Sequence, residues 1–142
     1  MNQQTLHPAV RANMQSIEYA MSGNKSAWLA LYADDAMVAD PVGISPLDPG
    51  GLGHQGKAAI EAFWDTVIGP SNLTMTVHQR CPSGAATCAV SMTAQNDIGN
   101  GLSTAIDMIA VYEMNDAGKI KCMKAYWNWD DMAAQLTKLG LA

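Results

Sequence analysis

The stretch YADDAMVADP, Tyr32 to Pro41, decides how this chain is read. Asp34 and Asp35 suit the polar end of a short helix, expected over about Ser26 to Ala33 with Trp28, Leu31 and Tyr32 buried. Ala36 to Val42 then reads as a first strand, and Pro41 biases Asp40 towards extended backbone. A carboxylate therefore closes the apolar run Met37, Val38, Ala39. The residues alone allow two readings. Asp40 either caps a turn at the strand end, or is a base held away from bulk water. An apolar setting disfavours ionisation and raises carboxylate basicity, which moves the group nearer the range useful for general-base work.

Outward from this stretch the chain divides into helices followed by strands. Pro8 is tolerated in a first helical turn, and Val10, Met14, Ile17 and Met21 recur at helical spacing as one apolar stripe. A second face carries the small residues Ala9, Ala12, Ser16 and Ala20. Residues 43–56, rich in glycine and proline, read as a loop. A third helix is expected over 57–68, burying Ile60, Phe63, Trp64 and Val67. Residues 73–80 and 87–95 alternate as strands do. Residues 101–115 are apolar on both faces and are expected to be covered on both sides. A turn at 115–119, a last strand and a short helix at 130–138 close the chain. Helices first and an antiparallel meander after, with no βα alternation, make an α+β domain of helices on one curved sheet. A single domain over 1–142 is expected.

Composition narrows the function. The chain has 142 residues, 49% of them hydrophobic and only 15% charged. That suits a real core with much surface hidden around a cavity or in an oligomer. A net charge of −5 argues against nucleic acid, which demands a basic stripe. No apolar run approaches the ~20 residues of a membrane span. The first residues lack a charged segment followed by an apolar one, so a cytoplasmic protein is expected, with Cys81, Cys88 and Cys122 as free thiols. Ten methionines serve mainly as core filler, some of them suited to an adaptable pocket for a flat apolar ligand.

Several motifs tempt without convincing. Gly51-Leu-Gly53-His-Gln-Gly56 fits a dinucleotide fingerprint, but no strand precedes it and no βαβ unit holds it. Ala58 stands where a phosphate loop carries serine or threonine. His78, Cys81 and Cys88 lack an evident fourth ligand for a structural zinc. No G-x-S-x-G elbow is present.

The block YADDAMVADPVG, the later GKAAIEAFW and the late AYWNWD together resemble the ketosteroid isomerase branch of the NTF2-like, or SnoaL-like, superfamily. The resemblance runs over nearly the whole chain. It implies a conical α+β barrel, a curved antiparallel sheet wrapped by N-terminal helices around an apolar pocket, paired as a homodimer. It implies Asp40 as the base that moves a proton beside a ketone, on a steroid-like ligand and with no cofactor or metal. The pocket is expected to be lined by Tyr32, Val38, Phe63, Trp64, Met108, Ala110 and Met123. The family holds the developing enolate with a tyrosine and a protonated aspartic acid; gap-free matching puts Ser16 and Ala110 there instead. Ser16, Tyr19, Asp107, Tyr126 and Trp127 are the candidate substitutes, Asp107 only if a bulge turns it inward. Two alternatives accompany isomerisation: a non-catalytic binder of hydrophobic small molecules, and an epoxide hydrolase, for which the chain offers only Arg11 and Arg80.

Overall fold

In the computed structural model, which describes residues 6–141, the first helix meets the sheet through its smallest side chains. Helix α1 (Pro8–Ser22) begins with Pro8 in its first turn, where His7 Nδ1 accepts the Ala9 N–H at 3.1 Å. It stops at Gly23, whose φ of 69° is easy only without a Cβ. Its buried residues are Ala9, Ala12, Asn13 and Ser16, a helical i, i+3, i+4, i+7 row. The larger stripe is displaced to the flank: Val10, Met14 and Ile17 are half-buried and Met21 is exposed. Small side chains let the helix approach the sheet closely, and the bulky stripe borders that contact.

Helix α2 (Lys25–Ala30), capped by the Asn24 side chain, buries Trp28. It is shorter than expected, because Tyr32 already belongs to strand β1 (Tyr32–Ala39) and pairs with Ile120. Tertiary pairing overrides the local helical pattern here. Strand β2 (His54–Gln55) is only two residues long and pairs with Met37 and Val38, so the long loop is stitched to β1 near its end. The three glycines of the fingerprint-like motif, Gly51, Gly53 and Gly56, all have positive φ, which is what the motif records. Helix α3 (Lys57–Phe63) runs on into a π-helical turn, Trp64–Ile68, and buries Ile60, Phe63 and Trp64.

Strands β3 (Leu73–Ser83), β4 (Thr87–Gly99), β5 (Leu102–Met114) and β6 (Ile120–Tyr126) complete one six-stranded sheet of order β2-β1-β6-β5-β4-β3. All pairs are antiparallel except β1–β6, which is parallel; the fully antiparallel expectation is corrected at that pair. Strand β5 alternates strictly. Thr104, Ile106, Ala110, Tyr112 and Met114 are buried, whereas Ser103, Ala105, Asp107 and Ile109 face outward and are exposed. This chain therefore covers one face of β5 and leaves the other open, so its own elements supply only one of the two covers expected. Cys81, Cys88 and Cys122 are free thiols.

The first half of β5 reaches beyond its pairing with β6, which begins at Ile109. There the Gln135 side chain takes the place of a strand. Its Oε1 accepts the Ala105 N–H and its Nε2 donates to the Ala105 carbonyl, both at 2.8 Å. Gln135 lies on helix α4 (Trp129–Lys138), which has no fully buried residue of its own. The core lies between the helices and the inner face of the sheet, centred on Trp28, Tyr32, Ile60, Phe63, Val90 and Ile120.

Candidate functional site

Helices and sheet line a cavity of about 340 Å³, within the range of small-molecule sites. Apolar side chains dominate its wall, including Met75, Met92, Met108, Met123 and Met132. Unbranched thioethers let such a wall adjust to a rigid guest. Of the residues expected to line it, Tyr32, Phe63, Met108 and Met123 do so.

Three of the expected lining residues are in the core instead. Val38 is fully buried, flanked in the sheet by His54 and Met123. Trp64 stacks its ring 5.1 Å from that of Trp28. Ala110 is fully buried on the inward face of β5, where the longer side chains of Met108 and Tyr112 on either side reach the cavity and its single methyl does not.

Asp40 lines the cavity at the point where β1 ends. Its carboxylate Oδ1 accepts the indole N–H of Trp127 at 2.6 Å. The parallel β1–β6 pairing explains this contact. Ala39 is level with Lys124, so Asp40 and Trp127 both lie just past the carboxyl ends of neighbouring strands. The Val42 N–H donates to the Ala125 carbonyl at 2.9 Å and ties the segment after Asp40 to the same strand. Burial pushes the Asp40 carboxyl up to about 6, and the Trp127 hydrogen bond pulls the other way. One carboxylate oxygen is thus fixed by the indole, and the other is left for a proton. A poised base in an apolar cavity is the chemistry this arrangement offers.

The expected oxyanion substitutes are scattered. Ser16 lines the cavity, and its Oγ accepts the Trp28 indole N–H at 3.2 Å. Trp127 also lines it, but its single N–H is committed to Asp40. Tyr19 packs half-buried against the core and is not part of the cavity wall. Tyr126 is 48% exposed, on the outer side of the sheet because strand alternation sets it opposite Ala125. Asp107 also faces outward, exposed, and accepts the Thr93 hydroxyl proton at 2.6 Å. No bulge intervenes between Asp107 and Ala110 in their pairing with β4, so Asp107 keeps the outward parity.

The sequence reading missed Tyr112 as a polar lining residue. The signal was present, since two residues beyond Ala110 on an alternating strand share its face. It also missed Asn13, fully buried on α1, whose Oδ1 accepts the Arg80 Nε–H at 2.8 Å. Neither Arg11 nor Arg80 reaches the cavity wall. Among the described residues no three His, Cys, Asp or Glu side chains converge as metal ligands, and no helix is long and apolar enough to cross a membrane.

Comparison with known proteins agrees with this geometry. A SnoaL-like domain profile matches residues 14–123. The steroid Delta-isomerase of Nocardioides simplex is 31% identical over 116 residues, covering 82% of this chain and 86% of the relative. The Delta 5-3-ketosteroid isomerase of a Mycobacterium species superimposes with a TM-score of 0.83 at 37% identity, over 89% of this chain and 97% of its own. A Mycobacterium tuberculosis protein solved in complex with estradiol-17beta-hemisuccinate gives 0.83 at 34% identity, over 88% and 97% of the two chains.

Proposed function

Since the chain belongs to the SnoaL-like family, we propose that it is an isomerase of steroid-sized apolar ketones, with Asp40 as the proton carrier. The observation that carries this reading is the Asp40 carboxylate on the wall of an apolar cavity, one oxygen held by Trp127 and its pKa raised to about 6. In the reaction Asp40 takes a proton from the carbon between the ketone and an isolated double bond. The electron pair delocalises into a dienolate, the double bond moves into conjugation, and the same proton is returned two carbons further on. Asp40 ends as it began, and no other reactant is consumed. The relatives named above are a steroid isomerase, a ketosteroid isomerase and a protein holding an estradiol derivative, which supports a steroid-like ligand here.

The test is conversion of a 5-ene-3-ketosteroid to its conjugated enone, followed by ultraviolet absorbance. Asp40→Asn keeps the shape and deletes the base, so the rate is expected to fall ~10²–10⁴-fold. Equal rates for wild type and variant would make Asp40 structural. A second reading, a non-catalytic binder, rests on the gap-free matching that puts Ser16 and Ala110 at the family's donor positions; it predicts ligand binding with no enone formed by either protein. The epoxide-opening alternative has no arginine on the cavity wall to support it.

We further propose that two copies pair through the outer face of the sheet, where Ile109 is 46% exposed and Tyr126 lies beside it in register. Sedimentation is expected to give twice the mass of the single chain at micromolar concentration; a single-chain mass would overturn the pairing.

A further inference from the structure

One hydroxyl on a residue of the cavity wall goes without a hydrogen bond from the protein. The Tyr32 hydroxyl is buried without a partner, although Tyr32 is 1% exposed and lines the cavity. A buried phenol in that state destabilises the fold, so its retention calls for a reason. Ser16 accepts the Trp28 indole N–H, which leaves the Ser16 hydroxyl proton free to donate. Tyr112, 3% exposed, enters the same cavity from β5. Ser16 at both phenols, and Asn13 ahead of it at Tyr112, lie close enough to pull the phenol pKa down, against the larger rise from burial. A tyrosine at position 16 would take up space beside these rings; with a serine there, Ser16, Tyr32 and Tyr112 all line the cavity.

We infer that the O–H groups of Tyr32 and Tyr112 are the donors that receive the carbonyl oxygen of the ligand, in place of a tyrosine at position 16 and an aspartic acid at position 110. The inference rests on the isomerase reading only for what that oxygen becomes. As Asp40 removes its proton, the carbonyl oxygen gains negative charge and the two hydrogen bonds strengthen. The phenols keep their protons throughout. Burial raises both, Tyr32 well above the ordinary phenol value and Tyr112 above it, and the Asp40 charge acts in the same direction on each. Both therefore remain donors wherever Asp40 is an ionised base.

The experiment compares binding of a 2-naphthol, which carries the oxygen, with naphthalene, which does not. Wild type, Tyr32→Phe and Tyr112→Phe are measured, with a thermal unfolding curve for each. The expected result is a ~3–10-fold loss of naphthol affinity in each variant, as for hydrogen bonds between neutral groups. Naphthalene affinity should stay within about twofold, and Tyr32→Phe should melt no lower than wild type, because the lost hydroxyl had no protein partner. Unchanged naphthol affinity in both variants, or equal losses for both probes, overturns the inference. A marked drop in melting temperature for Tyr32→Phe would show the hydroxyl serving the fold, and also overturns it for that residue. Naphthol losses in a protein with no isomerase activity keep the donors and remove the isomerisation. Asp40-dependent isomerase activity untouched in both phenylalanine variants does the reverse.

Discussion

Asp40 is held between two opposing influences, burial that raises its pKa and the Trp127 indole that lowers it. Each has its own experimental signature. The base must be ionised to act, so kcat/KM for a ketosteroid is expected to climb with pH and level off above about 6. Trp127→Phe removes the lowering influence, and the midpoint of that profile should move upward. Stability should run the other way. An ordinary carboxylate titrates near 3.8, and Asp40 in the fold near 6. Below the lower value it is neutral folded or unfolded, and burying it carries no ionic cost. Stability is lost as pH rises through the folded value, because the fold must then hold a charge that water would solvate better. Asp40→Asn should therefore melt higher than wild type at pH 8, with the gap closing as pH falls below 4. Differential scanning calorimetry across that range checks it, and a constant gap would contradict the account.

Among the elements, those with a local signature were legible in the sequence and those set by distant pairing were not. Pro8 and Gly23 bracket α1 as their backbone preferences dictate, and the alternation of β3 and β4 was plain. Which of the two faces of α1 packs inward was not legible, because hydrophobicity favours Val10 and Met14 while closeness of approach favours Ala9, Ala12 and Ser16. The start of β1 was missed because Tyr32 is claimed by Ile120, almost ninety residues away. The same pairing brings Trp127 to Asp40, and nothing in either segment announces it. Asp40 itself was legible because an acid closing an apolar run is chemically conspicuous. Tyr112 was overlooked although strand parity alone assigns its face. The turn before β2 gives a sharp test. A Cβ on Gly53 would sit 2.5 Å from Met37 Sδ, at a φ of 85°. Gly53→Ala is expected to cost about 1–3 kcal/mol from the backbone conformation alone, before any clash, and urea unfolding measures it.

At the scale of the whole molecule, a low-charge chain lines an apolar cavity and leaves the outer face of β5 exposed. The cavity wall is uneven in strength. On one side stand Tyr32, Phe63 and Trp28, fixed in the core. On the other lie Trp129, Met132 and Leu136 of a helix with no fully buried residue, fastened to the edge of β5 through Gln135. Two hydrogen bonds are worth about 1–2 kcal/mol net. Gln135→Ala is expected to raise amide hydrogen exchange across residues 129–138 about 5–30-fold while leaving the core amides protected. This clasp sets a clock. With this helix as the exit, a guest's dwell time would follow the opening rate of the helix more than the sum of the guest's own contacts. Strong and weak guests should then depart at similar rates from the wild-type protein and at clearly different rates from Gln135→Ala.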